Sequence, residues 1–173
     1  MSTNPFTLAH EAIWTCLEAS PSFTDLVAST NRIKFTGTVR DPWERLANCQ
    51  SFPSVAVIPA GGVSKLCADS DTTDVEKQFT IYAGGGGQRV GALFDVEFAV
   101  LRAMADWRGS IGAVTWSGKS CVLACGVFDH PEQMETPLME RGIRGWNAVW
   151  SGRLLFSFET ADLNESTTSS GET

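Results

Sequence analysis

Apolar side chains return every three or four positions over residues 5–19: Phe6, Ala9, Ile13 and Leu17 form one row, widened by Ala12 and Cys16. Asn4 can cap the first free amides and Pro5 suits a first helical turn, so the pattern predicts a helix over 5–19. Ser20 and Pro21 restart it, and Phe23, Leu26 and Val27 share one face of a shorter helix ending near Ser29, which makes a helical hairpin. Residues 32–35 and 54–59 then read as strands. The second holds the unbroken run Val55, Ala56, Val57, Ile58 expected of a strand covered on both faces. The stretch between them, 36–53, reads as irregular.

Gly61 and Gly62, with the acidic, threonine-rich 69–74, mark a turn. Val75, Phe79, Ile81 and Ala83 alternate with polar neighbours, predicting a half-buried strand over 75–83 in which Lys77 marks a strand end. After the glycine run 84–87, a helix over 89–107 carries Val90, Leu93, Phe94, Phe98, Leu101, Met104 and Trp107, a broad stripe that calls for a sheet beneath it. Residues 113–116 and 121–128 suggest a hairpin around Ser117, Gly118, Lys119 and Ser120. Residues 129–140 form a loop with two prolines and four acids but no lysine or arginine. In the closing strand Trp146, Ala148, Trp150, Leu154, Phe156 and Phe158 point one way, with Val149 and Leu155 as apolar exceptions on the polar side. The expected fold class is α/β (α+β): one mixed or antiparallel sheet backed by helices, with an extended hairpin and a long C-terminal strand. It forms a single domain over 1–161, and 162–173 is a mobile acidic Ser/Thr-rich tail.

Composition narrows the function classes. The 173 residues carry 13 basic and 20 acidic side chains, a net charge of −7, and 43% are apolar. One hydrophobic core is affordable without staples at this length. A nucleic-acid clamp needs clustered cations that displace counterions, so the acidic balance argues against one. No apolar run approaches the roughly 20 residues that a membrane span needs. Residues 1–6 lack the charged start of a signal peptide, which leads us to expect a chain that stays in the cytoplasm where it is made. The five cysteines contain no C-x-x-C and are read as reduced, buried thiols.

Catalytic chemistry has little to stand on. Gly118, Lys119 and Ser120 look like the end of a phosphate loop, but the required first glycine is displaced by one residue to Gly112, so a plain turn is favoured. The glycine run 84–87 lies between a strand and a helix without a lysine–serine pair, and reads as a connector. His10 falls on a solvent-facing or subunit-facing side of the first helix, and His130 precedes a proline; neither has a second metal ligand at suitable spacing. Glu132, Glu135 and Glu140 are acids of a solvated loop rather than an acid–base pair. No catalytic, cofactor or metal residue is assigned. Trp43, beside Asp41, Glu44 and Arg45 in the irregular stretch, is the aromatic suited to anchor an interface.

The amino-terminal helix followed by Ser20-Pro21-Ser22-Phe23-Thr24-Asp25-Leu26-Val27 and Asn31-Arg32-Ile33 resembles the opening of the small tail completion proteins of tailed bacteriophages. Phe52-Pro53-Ser54-Val55-Ala56-Val57, Phe79-Thr80-Ile81-Tyr82 before a helix, and Trp146-Asn147-Ala148-Val149-Trp150 extend the resemblance over about residues 6 to 160. It implies a tail terminator: an α/β virion protein without catalytic residues, assembled as a hexameric ring at the head-proximal end of the tail tube, present in host cytoplasm during assembly. The implied partners are further copies of the chain, the tail tube protein and a neck or head completion protein, with DNA passing through the channel unbound. The long 36–53 segment, the 69–74 turn and the acidic tail depart from the shortest members. Trp43, Asp129, Glu132, Glu135 and Glu140 are the candidate interface or lumen residues. The competing readings are a head completion (stopper) protein and a small cytoplasmic enzyme or ligand-binding domain with its pocket at the 84–87 connector.

Overall fold

The computed structural model describes residues 4–34, 42–49, 51–60, 66–68, 71–85, 90–105, 115–116, 119–120, 122–125, 132–134 and 147–163. Helix α1 (Pro5–Ala19) begins where the Asn4 side chain accepts the Phe6 amide at 2.8 Å. It ends where Ser20 turns to extended backbone and donates to the Leu17 carbonyl. Pro21 then opens α2 (Pro21–Leu26), and a single 3-10 turn, Ser29–Asn31, leads into β1 (Arg32–Ile33).

The sheet is built on two long strands. β4 (Thr72–Gly84) and β9 (Asn147–Glu159) pair antiparallel at all thirteen positions, from Thr72 opposite Glu159 to Gly84 opposite Asn147. At roughly 3.4 Å per residue the ladder is about 40 Å long. Each long strand is flanked on its outer side by two short ones placed end to end. β2 (Ser54–Ala60) and β3 (Leu66–Ala68) lie along β4, while β8 (Glu132–Met134) and β7 (Val122–Cys125) lie along β9. β7 follows its partner through a register shift between Val122 and Ala124. Among the described strands only β1 is parallel to its neighbour, β2, which makes the sheet mixed. A separate pair, β5 (Thr115–Trp116) and β6 (Lys119–Ser120), forms a small second sheet.

Alternation along these strands sorts their side chains onto two faces. Val55 and Val57, then Phe79, Ile81 and Ala83, then Ala148, Trp150, Leu154, Phe156 and Phe158 enter one core, with Ile13, Trp14 and Leu17 of α1, and Phe23 and Val27. Helix α4 (Val90–Met104) completes the layer with Leu93, Val96, Ala99 and Val100. Phe6 meets the Phe156 ring edge-on at 5.0 Å between centroids, and Phe156 stacks on Phe158 at 6.2 Å. The opposite face carries a smaller cluster: Ile33, Ala56 and Ile58 under Leu46 of α3 (Pro42–Ala47), bordered by Tyr82 and Val149. Residues Val55 to Ile58 are therefore buried from both sides, as their unbroken apolar run predicts.

Tertiary pairing overrides several sequence expectations. The 36–53 stretch contains α3: Pro42 suits a first turn, Glu44 and Arg45 complement the helix dipole, and burial of Leu46 supplies the reason to form it. Thr72–Asp74 of the expected 69–74 turn belong instead to β4, held there by pairing with β9 and β3. Lys77 does not end the strand. It occupies an inward position mid-strand, with its ammonium 5.0 Å from the Phe6 ring centre, so its stem covers apolar surface and its charge meets a ring. Thr115–Trp116 pairs with Lys119–Ser120, whereas Val122–Cys125 joins β9 instead of pairing with them. The 129–140 loop contributes a strand, β8. Asp162 and Leu163, the first residues of the expected tail, belong to a final helical turn, α5 (Thr160–Leu163), and 164–173 lie outside the described residues.

Candidate assembly surfaces

Helix α4 departs from the sequence reading most consequentially. The residues expected to face the sheet include Phe94, Phe98 and Leu101, and the fold turns all three outward, 51%, 60% and 58% exposed. The buried side is built from Leu93, Val96, Ala99 and Val100. At 100° per residue Phe94, Phe98 and Leu101 fall within about 60° of arc, one continuous row opposite the buried side. Asp95 and Arg102 flank this row on one side, where the Arg102 guanidinium lies 5.8 Å from the Phe98 ring centre, and Glu97 flanks it on the other. A signal for it existed in the sequence. Only Asp95, Glu97 and Arg102 are charged in this 15-residue helix, too few for a helix with one apolar side.

The junction of α1, α2 and β1 is held by charge. Arg32 Nε donates to the Val27 carbonyl at 3.0 Å, Nη2 to the Thr24 carbonyl at 3.3 Å, and Nη1 approaches Glu18 Oε1 at 3.5 Å. One guanidinium thus serves the carboxyl end of α2 and packs 5.7 Å from the centre of the Phe23 ring. Lys34 completes the cluster, with Nζ 2.6 Å from Glu18 Oε2 and 5.5 Å from the centre of the Trp14 ring.

His10 is buried, contrary to the expectation of a solvent-facing or subunit-facing histidine. Its Nε2 lies 3.0 Å from the Val57 carbonyl and donates to it, at a point of β2 beyond the two residues that β1 pairs. Burial pushes the imidazole below its ordinary pKa, and the Val57 carbonyl partly offsets that.

The five candidate interface or lumen residues are not assembled into one site. Trp43 lies in α3, a helix rather than the expected irregular loop, and α3 packs on β1 and β2. Glu132 opens β8 opposite Val149, across β9, β4 and β2 from α3. Asp129, Glu135 and Glu140 lie outside the described residues. At the α3 edge, Thr30, Ile33, Glu44, Arg45, Asn48 and Cys49 line an open groove of about 500 Å³. Its Cys49 thiol donates to the Ser51 carbonyl at 3.1 Å. Gly84 and Gly85, at the start of the glycine connector, are buried, and 86–89 lie outside the described residues. Among the described residues no three His, Cys, Asp or Glu side chains converge on a metal-sized site, and no helix is long and apolar enough to cross a membrane. No protein-family model matches the chain, and no curated protein is significantly similar to it.

Proposed function

We propose that the chain is a virion structural protein of the tail-terminator class, a ring that caps the tail tube and joins it to the neck. The observation that carries this reading is the fold beneath the resemblance. Segments that resemble tail completion proteins supply its framework: Phe23 and Val27, Ile33 in β1, Val55 and Val57 in β2, Phe79 and Ile81 in β4, and Ala148 and Trp150 in β9. A helical layer on one face of a mixed sheet is the architecture the resemblance implies.

In this reading the protein works by geometry. A repeated head-to-tail contact between copies closes when its rotation closes, six copies by the resemblance, and a closed ring has two unlike faces. One face meets the tube protein and stops its growth; the other meets the neck protein. A net charge of −7 suits a conduit for DNA, since like charges repel and no counterions are released by binding.

The test is polymerisation of purified tail tube protein with and without this chain, viewed by electron microscopy. The expected result is shorter tubes bearing a ring at one end. Tubes of unchanged length with bare ends would overturn the assignment. Binding to the head-side connector instead would move the chain to the stopper class.

A further inference from the structure

The ring needs a head-to-tail contact, yet the apolar row of α4 is built for a different symmetry. We propose that α4 pairs two copies of this chain antiparallel, about a two-fold axis at Phe98. This goes beyond the ring reading: the pairing itself stands without it, and only the timing of the pair, before incorporation, rests on it.

The observations are the exposure of Phe94, Phe98 and Leu101 and the order of their neighbours along the helix. A two-fold contact requires that residue i meet residue j while j meets i. With the axis at Phe98, that ring meets its own copy and Phe94 meets the partner's Leu101. Gly91, whose Cβ position is open, falls opposite the partner's Ala105, so small residues let the helix ends approach. The same register sets Asp95 beside the partner's Arg102, twice, once on each side of the axis. Asp95 has no ion pair among the described residues, and Arg102 already lies along the row against Phe98. A parallel pair would put Asp95 beside the partner's Glu97 and leave Arg102 beside no acid, whereas the antiparallel pair gains two Asp95–Arg102 contacts against one approach of Glu97 to the partner's Glu97 at the axis, so the balance of charge favours the antiparallel one.

Size sets the strength. Given aromatic side chains of about 200 Å², the row leaves roughly 300 Å² of apolar surface in water, as large as a functional patch on a monomer. It is well below the roughly 800 Å² per partner of a standard interface, so the pair is a transient one that concentration drives. A ring that meets a tube on one face and a neck on the other has no two-fold axis in its plane. The pair is therefore a state of the chain before incorporation, in which the row is covered.

Light scattering of the full chain across about 5–500 µM, a hundredfold span suited to a transient pair, tests this. The mass should rise from 18.7 kDa toward twice that value. Phe98→Glu should hold it at 18.7 kDa throughout, with an unchanged far-ultraviolet circular dichroism spectrum, since the residue is outside the core. Asp95→Arg and Arg102→Asp should each weaken pairing about tenfold, as loss of a reciprocal charge pair does, and the two together in one chain should restore it. A wild-type monomer at every concentration would overturn the pair, as would a dimer indifferent to Phe98→Glu or a double exchange that fails to restore. A six-chain mass that persists in Phe98→Glu would overturn the pair while supporting the ring. A monomer that loses tube binding in Phe98→Glu would overturn it too, by assigning the row to the tube protein.

Discussion

His10 shows how one residue can change meaning between sequence and fold. Its helical position reads as exposed, but α1 lies over the edge of β2, where a donor is needed for the Val57 carbonyl. Because burial lowers its pKa in the folded chain, the unfolded chain binds the proton more readily. The stability it contributes is complete above the ordinary histidine value of about 6.5 and is lost as pH falls through the lower folded value. Denaturant unfolding between pH 7.5 and 5 should show that loss, and His10→Gln, which keeps a donor without a titrating ring, should flatten it. An equal slope in both proteins would show that His10 is not its source. Phe156 is the opposite case, an aromatic whose inward position is legible from alternation alone. It is fully buried between Phe6 and Phe158, so Phe156→Ala should cost about 3–5 kcal/mol, measured as a shift of the unfolding midpoint.

At the scale of elements, legibility followed periodicity. Helix α1 and the inward row of β9 are readable because one period and one apolar side leave a single solution. Helix α3 was hidden in a stretch rich in turn residues, since six residues carry too little periodicity and their helix depends on what Leu46 buries. The short strands β3 and β8 were hidden for a related reason: three residues become a strand only when a long neighbour offers free amides and carbonyls. For α4 the extent was readable and the facing was not, because apolar residues occupy both sides and only the fold decides which is covered. None of the five candidate interface residues could be ranked above α4 from sequence, since charge runs mark loops but not what those loops touch. Gly91 is the second residue of that helix, with no atom near its Cβ position, so Gly91→Ala should raise stability by about 0.5 kcal/mol, the low end of the interior value, in thermal or denaturant unfolding. Asn4→Ala removes the acceptor of the Phe6 amide and should lower it by about 1 kcal/mol.

Among the described residues, the long β4–β9 ladder is the spine, with α1, α2 and α4 on one face and the α3 cluster on part of the other. Such a body suits assembly through its surfaces, and its acidity suits proximity to DNA without adhesion. Fluorescence anisotropy with a labelled duplex at about 0.1 M salt should show no binding, because the chain has a net charge of −7 to set against the phosphates. Saturable binding at that salt would contradict a passive channel wall. The central claim, that the chain terminates a tube, is tested most directly by counting what binds when tube length changes and tube mass does not. Preformed tail tubes are sheared to different mean lengths, and the bound chain is quantified after sedimentation. A terminator binds ends, so the bound amount should rise in proportion to the number of ends. Binding that follows total tube mass, or no binding at any length, would contradict the account.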